Sequence, residues 1–338
     1  MQKQNKKSAA ALVCAAIMLA GCAGPENKIT SSSFIAMDTY ISATLYGDNG
    51  KEAAGKIKEE ILRLEGLFSV TDEKSDLWRI NHTAGGNARV SPDTAEIIGK
   101  TLEICEKSGG ALDITLYPVV AEWGFTGNEY KIPGEDILKS LLENTDYRRV
   151  KVTGDTVSVP EGFQIDLGAS AKGYAGDKII GIMKAEGVSS AIVNLGGNVQ
   201  TLGAKPDGSD WNIGIQDPFG EGYIGTLRVK DKAVVTSGGY ERYFEENGKR
   251  YWHIIDPSDG YPADNGIVSA TVIGDSGMFC DAMSTALFVM GTDKSQEYWR
   301  KHRDFEMILV GDDGTVTVSE GIYESFSPSE GVKVDLIK

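Results

Sequence analysis

CDAMSTALFVMG, Cys280 to Gly291, is an apolar run that carries one acidic residue and two hydroxyls at its head. Its pattern predicts a buried helix over Asp281–Met290. The segments SSAIVNLGG, WNIGIQ, GTLRVKDKAVVTSG and GIVSATVIG read as strands. A further helix, over Ala171–Ala185, falls between such strands, so the chain reads as one mixed α/β body. With 338 residues and 41% hydrophobic content it is long enough to bury a large core.

Toward the N-terminus, KEAAGKIKEEILRLEGLFS carries Ile57, Ile61, Leu62 and Leu64 at helical spacing, and a second helix is expected over Thr94–Lys107. MDTYISATLYG alternates like a strand, and RRVKVTGDTVSVP reads as a hairpin around Gly154 and Asp155. Residues 34–338 form the expected folded body, beginning near Phe34. Residues 22–33, polar and broken by Pro25, suit a tether. Residues 1–21 have the form of a secretory signal: Lys3, Lys6 and Lys7, then an apolar run from Ala9 to Leu19 too short to span a bilayer. The LAGC ending resembles a bacterial lipobox, with Cys22 as the lipid-modified first residue of the mature chain. That ending predicts a protein anchored to a membrane by lipid and facing the extracytoplasmic side. Loss of the three signal lysines takes the net charge from −15 to −18, which makes nucleic acid a poor partner. Cys105 and Cys280 are too few for a disulfide framework or a thiolate cage and are expected to pack as small apolar residues.

Four stretches could carry chemistry. Asp281 and Thr285 are four apart, hence on one helical face with Ser284 beside them, and such oxygens suit a hard cation such as Mg²⁺. Spacing alone favours the plainer reading, in which Asp281 caps the helix while Ser284 and Thr285 bond back to the preceding turn. IDLGASAKGYAGDKI, Ile165 to Ile179, runs from a strand end at Asp166 into a helix whose opening, with Lys172, could receive an anion or its metal. It could also be a routine turn with Asp166 as its cap. RYWHIIDPSDGYPADNG holds His253, one of three histidines, able to take a proton near neutrality or to serve structure alone. LDITLYPVVAEWGF sets Trp123 and Phe125 around Gly124, as a wall for a flat ligand or as core.

Together with MDTY, IVNLGGN and VTSGGY, these stretches resemble the ApbE-type FAD:protein FMN transferases, in that family's order and from about Met37 to near the chain's end. The resemblance implies an α+β fold, a mixed sheet with packed helices (T-fold-like) in a single compact body. It implies transfer of FMN from FAD to a threonine hydroxyl of an acceptor protein, with Mg²⁺ as cofactor and AMP released. By the same likeness, Asp281, Thr285 and the Ala169 carbonyl would hold the metal, with Ser284 adjacent. Met37, Thr71, Trp123, Gly124, Phe125, Asp166, Lys172 and Ile255 match positions that contact FAD. His253 is the expected base, with Asp256 either orienting it or shaping the turn. Gly196, Gly197, Gly238 and Gly239 are expected to let backbone approach the ligand. The implied partner is an exported flavoprotein, such as a subunit of a redox-driven ion pump.

Two positions depart from the family pattern: Asp38 follows Met37 where glycine is usual, and Thr71 stands where many members have a tyrosine that reaches the adenine. The competing activities are an FAD pyrophosphatase giving FMN and AMP, a non-catalytic flavin-storing lipoprotein, and a solute-binding lipoprotein. The last would explain the anchor and the acidity but not the series of motifs.

Overall fold

The computed structural model describes residues 28–127 and 129–338, so the expected signal, the expected lipidation site Cys22 and the expected tether up to residue 27 lie outside the described residues. Nine strands build the central sheet: β1 (Ile29–Ala36), β2 (Thr39–Tyr46), β3 (Ser190–Leu195), β4 (Asn198–Leu202), β5 (Ala233–Gly238), β6 (Ile267–Gly274), β7 (Glu306–Gly311), β8 (Val316–Ser319) and β9 (Val334–Ile337). They lie side by side in chain order. Neighbours are antiparallel except β8 and β9, which run parallel. The fold is α+β, as expected, with a mixed sheet in one body.

Period-two patterning splits the core into two layers. Val235, Met307 and Leu309 face four helices: α1 (Gly50–Phe68), α2 (Pro92–Lys107), α3 (Ala171–Ala185) and α4 (Gly277–Met290). Val234, Ile308 and Val310 face a three-stranded sheet made of Trp211–Gln216, Tyr223–Val229 and Phe326–Pro328. Each fully buried Ile or Leu contributes roughly 1.5–3 kcal/mol. Cys105 and Cys280 are free thiols buried in the helical layer. Among the described residues no helix is long and apolar enough to cross a membrane.

Several boundaries differ from expectation, among them the start of α2, at Pro92 rather than Thr94, where Ser91 accepts from the Thr94 N–H as the cap. Strand pairing begins at Ile29, ahead of Phe34, because the polar run ITSSS lies in unbroken register on β2 and its backbone groups are satisfied there. Helix α4 begins at Gly277, four residues before Asp281. Ser276 accepts from the Phe279 N–H, and Asp177 on α3 accepts from the N–H groups of Gly277 (2.5 Å) and Met278 (3.1 Å). A carboxylate far away in sequence supplies this cap, so local pattern could not locate it.

Candidate active site

The site lies where the start of α3 meets the second turn of α4. Close helix contact is what brings them together: a Cβ on Gly173 would sit 2.1 Å from the Gly277 carbonyl oxygen, and one on Gly176 would sit 1.8 Å from Gln200 Nε2. Only glycine permits this approach. At the start of α3 the Gly173 N–H, which would otherwise close a turn on the Ala169 carbonyl, donates to Asp281 Oδ2 at 2.8 Å. The Lys172 ammonium stands 4.0 Å from Asp281 Oδ1. Asp281 therefore does not cap its own helix. Burial raises its carboxyl above the usual carboxylate range, while Lys172 opposes the shift.

A directed hydrogen-bond chain surrounds it. The Ser284 hydroxyl donates to the Asp281 carbonyl (2.8 Å) and also faces Ser237 Oγ (2.8 Å), which in turn faces Thr285 Oγ1 (3.1 Å). A carbonyl only accepts, so Ser237 must donate to Ser284, and Thr285 to Ser237. Thr285 keeps its lone pairs for another partner. Ser284 is fully buried with its proton committed inward.

On β4, Asn198 is 1% exposed and its amide reaches toward the Asp281 carboxylate and favours its charged form, yet neither end of the amide meets a partner in full hydrogen-bond geometry among the described residues. A buried amide left so costs about 1–3 kcal/mol per group unless something fills the space beside it. Glu241 adds a second acid. Desolvation pushes its carboxyl up to about 7, with Lys172 opposing and Asp281 reinforcing. Its side chain still reaches solvent, as the wall of a cleft does. Asp166, half-buried, accepts from the Gly168 N–H (2.9 Å) and is likewise raised by burial, with Arg242 opposing. Among the described residues no three His, Cys, Asp or Glu side chains form a metal cage. One carboxylate, the uncommitted lone pairs of the Thr285 hydroxyl and the Ala169 carbonyl at the start of α3 fit Mg²⁺, which keeps positions for phosphate and water.

His253 Nδ1 lies 3.1 Å from the Arg242 carbonyl oxygen. That contact requires the proton on Nδ1 and leaves Nε2 as an acceptor. Burial, then the charge of Arg242, holds the imidazole down at about 4, so it is neutral at pH 7. Asp256 does not orient it; its carboxylate accepts from the Ser258 N–H (2.8 Å) and shapes the turn.

Trp123, Phe125 and Ile255 are buried together in a small third cluster, and the Trp123 indole donates to the Gly260 carbonyl (2.8 Å). Their rings and chains are core beneath the His253 turn. Gly124, at φ +84°, lets that segment meet Glu129, whose carbonyl oxygen would be 2.1 Å from an added Cβ. Thr71 is exposed after α1, its hydroxyl 3.2 Å from Ser69 Oγ. Met37 and Asp38 make the two-residue turn between β1 and β2, both left-handed at φ +51° and +55°. Aspartate tolerates that conformation, which explains how it stands where glycine is usual. The Met37 N–H is anchored on Glu65 Oε1 at 2.6 Å.

The expectation for the glycines is corrected in part: the space beside Gly196 is filled by Thr39 and that beside Gly238 by the Tyr240 ring. They serve packing between turns. Ser237, Asn198, Glu241 and Asp177 escaped sequence reading, although VTSGGY, IVNLGGN and IDLGASAKGYAGDKI already marked the segments that carry Ser237, Asn198 and Asp177, and Glu241 directly follows VTSGGY. A cavity of about 390 Å³ lies at the opposite end of β5, lined by Lys232, Asp275 and Arg303 among others. Its charges are mixed and it is separate from Asp281.

The ApbE family matches residues 37–309. The FAD:protein FMN transferase of Klebsiella pneumoniae (strain 342) is 33% identical over 309 residues, covering 90% of this chain and 96% of the relative. That of Treponema pallidum (strain Nichols) is 33% identical over 338 residues, covering 93% of each. The crystal structure of the Thermotoga maritima ApbE protein superposes with a TM-score of 0.84 at 33% identity, over 88% of this chain and 99% of the other. The apo flavinyl transferase ApbE of Pseudomonas stutzeri gives 0.81 at 27% identity, over 90% and 98%. With this extent of agreement in sequence and fold, the chain belongs to the ApbE family.

Proposed function

We propose that this protein transfers FMN from FAD to a threonine hydroxyl of an acceptor protein, with AMP as the leaving group and Mg²⁺ as cofactor. The observation that carries the reading is Asp281: a buried carboxylate with one backbone donor and a lysine at 4.0 Å, beside a buried amide that makes no hydrogen bond of full geometry among the described residues. Asp281, Thr285 and the Ala169 carbonyl would hold the metal. When bound, Mg²⁺ supplies charge neutralisation on the pyrophosphate. Lys172 and the N–H groups opening α3 attract the same phosphates. Asn198 offers a donor and an acceptor beside Asp281, and Met37 and Asp166 belong to the flavin-binding wall.

In the transfer, the threonine oxygen forms a bond to the FMN phosphorus as the P–O bond to AMP breaks. His253 Nε2 takes the hydroxyl proton, its Nδ1–H held by the Arg242 carbonyl. The leaving AMP carries the electron pair of the broken bond. The acceptor is an exported flavoprotein of the kind found in redox-driven ion pumps. We further propose that Cys22 carries a lipid that holds the enzyme on the extracytoplasmic face of a membrane.

The test incubates the mature protein with FAD and Mg²⁺, with and without an acceptor, following AMP by chromatography and flavin on the acceptor by in-gel fluorescence. Acceptor is expected to raise AMP release above its acceptor-free level, with labelled acceptor matching the added AMP. AMP without labelled acceptor would leave the pyrophosphatase instead, and neither product would leave flavin storage.

A further inference from the structure

We propose that the outer edge of β1 is the docking strand for the acceptor protein, which adds an extended segment to the sheet and delivers its hydroxyl past the Met37–Asp38 turn. The inference rests on the transferase reading above.

β1 is the terminal strand of the nine, and among the described residues nothing pairs with its far side. Proteins guard such edges with charge, proline or bulges. From Ile29 to Ala36 there is none of these, in a chain with 49 acidic and 34 basic residues, and the register on β2 is unbroken. The Gly47 N–H donates to the Lys28 carbonyl at 2.9 Å, which fixes the alternation. Even-numbered residues turn their backbone groups to β2. Ile29, Ser31, Ser33 and Ile35 turn theirs outward.

This edge leads directly to the site. Ile35 and Tyr40 sit opposite each other just before and after the turn, 78% and 62% exposed. The turn abuts its neighbour: an added Cβ on Gly196 would meet Thr39 Oγ1 at 2.0 Å. One on Gly197 would lie 3.7 Å from Glu241 Oε1, on the wall that faces Lys172 and Asp281. FAD has no use for a row of backbone donors and acceptors, whereas a polypeptide substrate matches them with its own. The Ile35–Tyr40 pair then receives an apolar side chain of the added segment.

The probe is a protein acceptor of one of the related transferases to which the wild-type chain couples FMN. Ser31→Pro/Ser33→Pro removes two outward N–H groups and leaves the ladder to β2 intact. Ile35→Lys removes the apolar contact without touching backbone. Each folded variant is expected to raise the KM for the acceptor about tenfold or more. AMP release from FAD without acceptor, KM for FAD and melting temperature should stay at wild-type values. Saturating acceptor should slow hydrogen exchange at Ile29, Ser31, Ser33 and Ile35 in the wild type. Unchanged acceptor KM in either folded variant overturns the proposal, as does a dimer in which those amides are already protected. If the wild type releases AMP yet labels no acceptor, the transferase reading falls and the docking strand with it. If labelling persists undiminished in the variants, only the docking strand falls.

Discussion

Two aspartates sit in the same helix junction and are treated in opposite ways. Asp177 accepts from the Ser276 hydroxyl and from the N–H groups of Gly277 and Met278, so its charge is spent on capping α4. Asp281, one turn further along α4, accepts one N–H from Gly173 and has a cation only at 4.0 Å. Burial raises both carboxyls. A fully engaged buried carboxylate is a structural device, and an under-engaged one awaits a ligand.

The contrast breaks most visibly at Asp281. Asp281→Asn keeps an acceptor for the Gly173 N–H but loses the charge. Metal-dependent AMP release should fall about 10²–10³-fold, from several kcal/mol of lost charge stabilisation, with melting temperature held. Unchanged Mg²⁺ dependence would sink the metal assignment. Asp177→Ala should do the reverse, costing roughly 3–5 kcal/mol of stability as a buried network loses its acceptor. Denaturant titration measures that loss, and turnover per folded molecule should stay near wild type. Gly173→Ala should cost about 1–3 kcal/mol by forcing the helices apart and should raise the Mg²⁺ concentration for half-maximal rate. A neutral result there would mean that the close approach is not what positions Asp281.

The smallest effect concerns His253. Its folded pKa of about 4 lies below its ordinary value near 6.5, so between those limits the unfolded chain binds more protons. Its contribution to stability is therefore unfavourable at low pH and recovers as pH rises through that window. Melting curves of wild type and His253→Gln, compared from pH 7 to 4, should show the smaller acid loss in the variant. Equal losses would mean that His253 titrates as if exposed.

Much of this could be read in the sequence, for reasons visible in particular residues. Ala171–Ala185 was legible in full because its helical pattern is local, and β5 and β6 were legible because Val and Ile run between two buried faces, whereas β7 was not read as a strand. The start of α4 was not, since its cap comes from Asp177. The ordered strand from Ile29 was not, because polar ITSSS pairs through backbone alone. In the site, Asp281, Thr285, Lys172 and His253 stood out by type and motif. Asn198 and Ser237 did not: an amide and a hydroxyl inside strands carry no signal until the fold sets them beside a carboxylate. Trp123 and Phe125 mark the converse limit, since their sequence fits both a ligand wall and the core, and burial assigns the rings to core.

The chain-order sheet has a consequence for how the molecule assembles. β2 and β3 are neighbours in space, yet residues 47–189 lie between them, carrying α1, α2 and α3. Closing that loop costs entropy before any strand contact repays it, while β3 to β8 join through shorter connections. A lone β1–β2 hairpin is marginal in water. Pulse-labelled refolding should therefore protect β5 to β7 first and β1–β2 last, making the edge strand the final piece to lock.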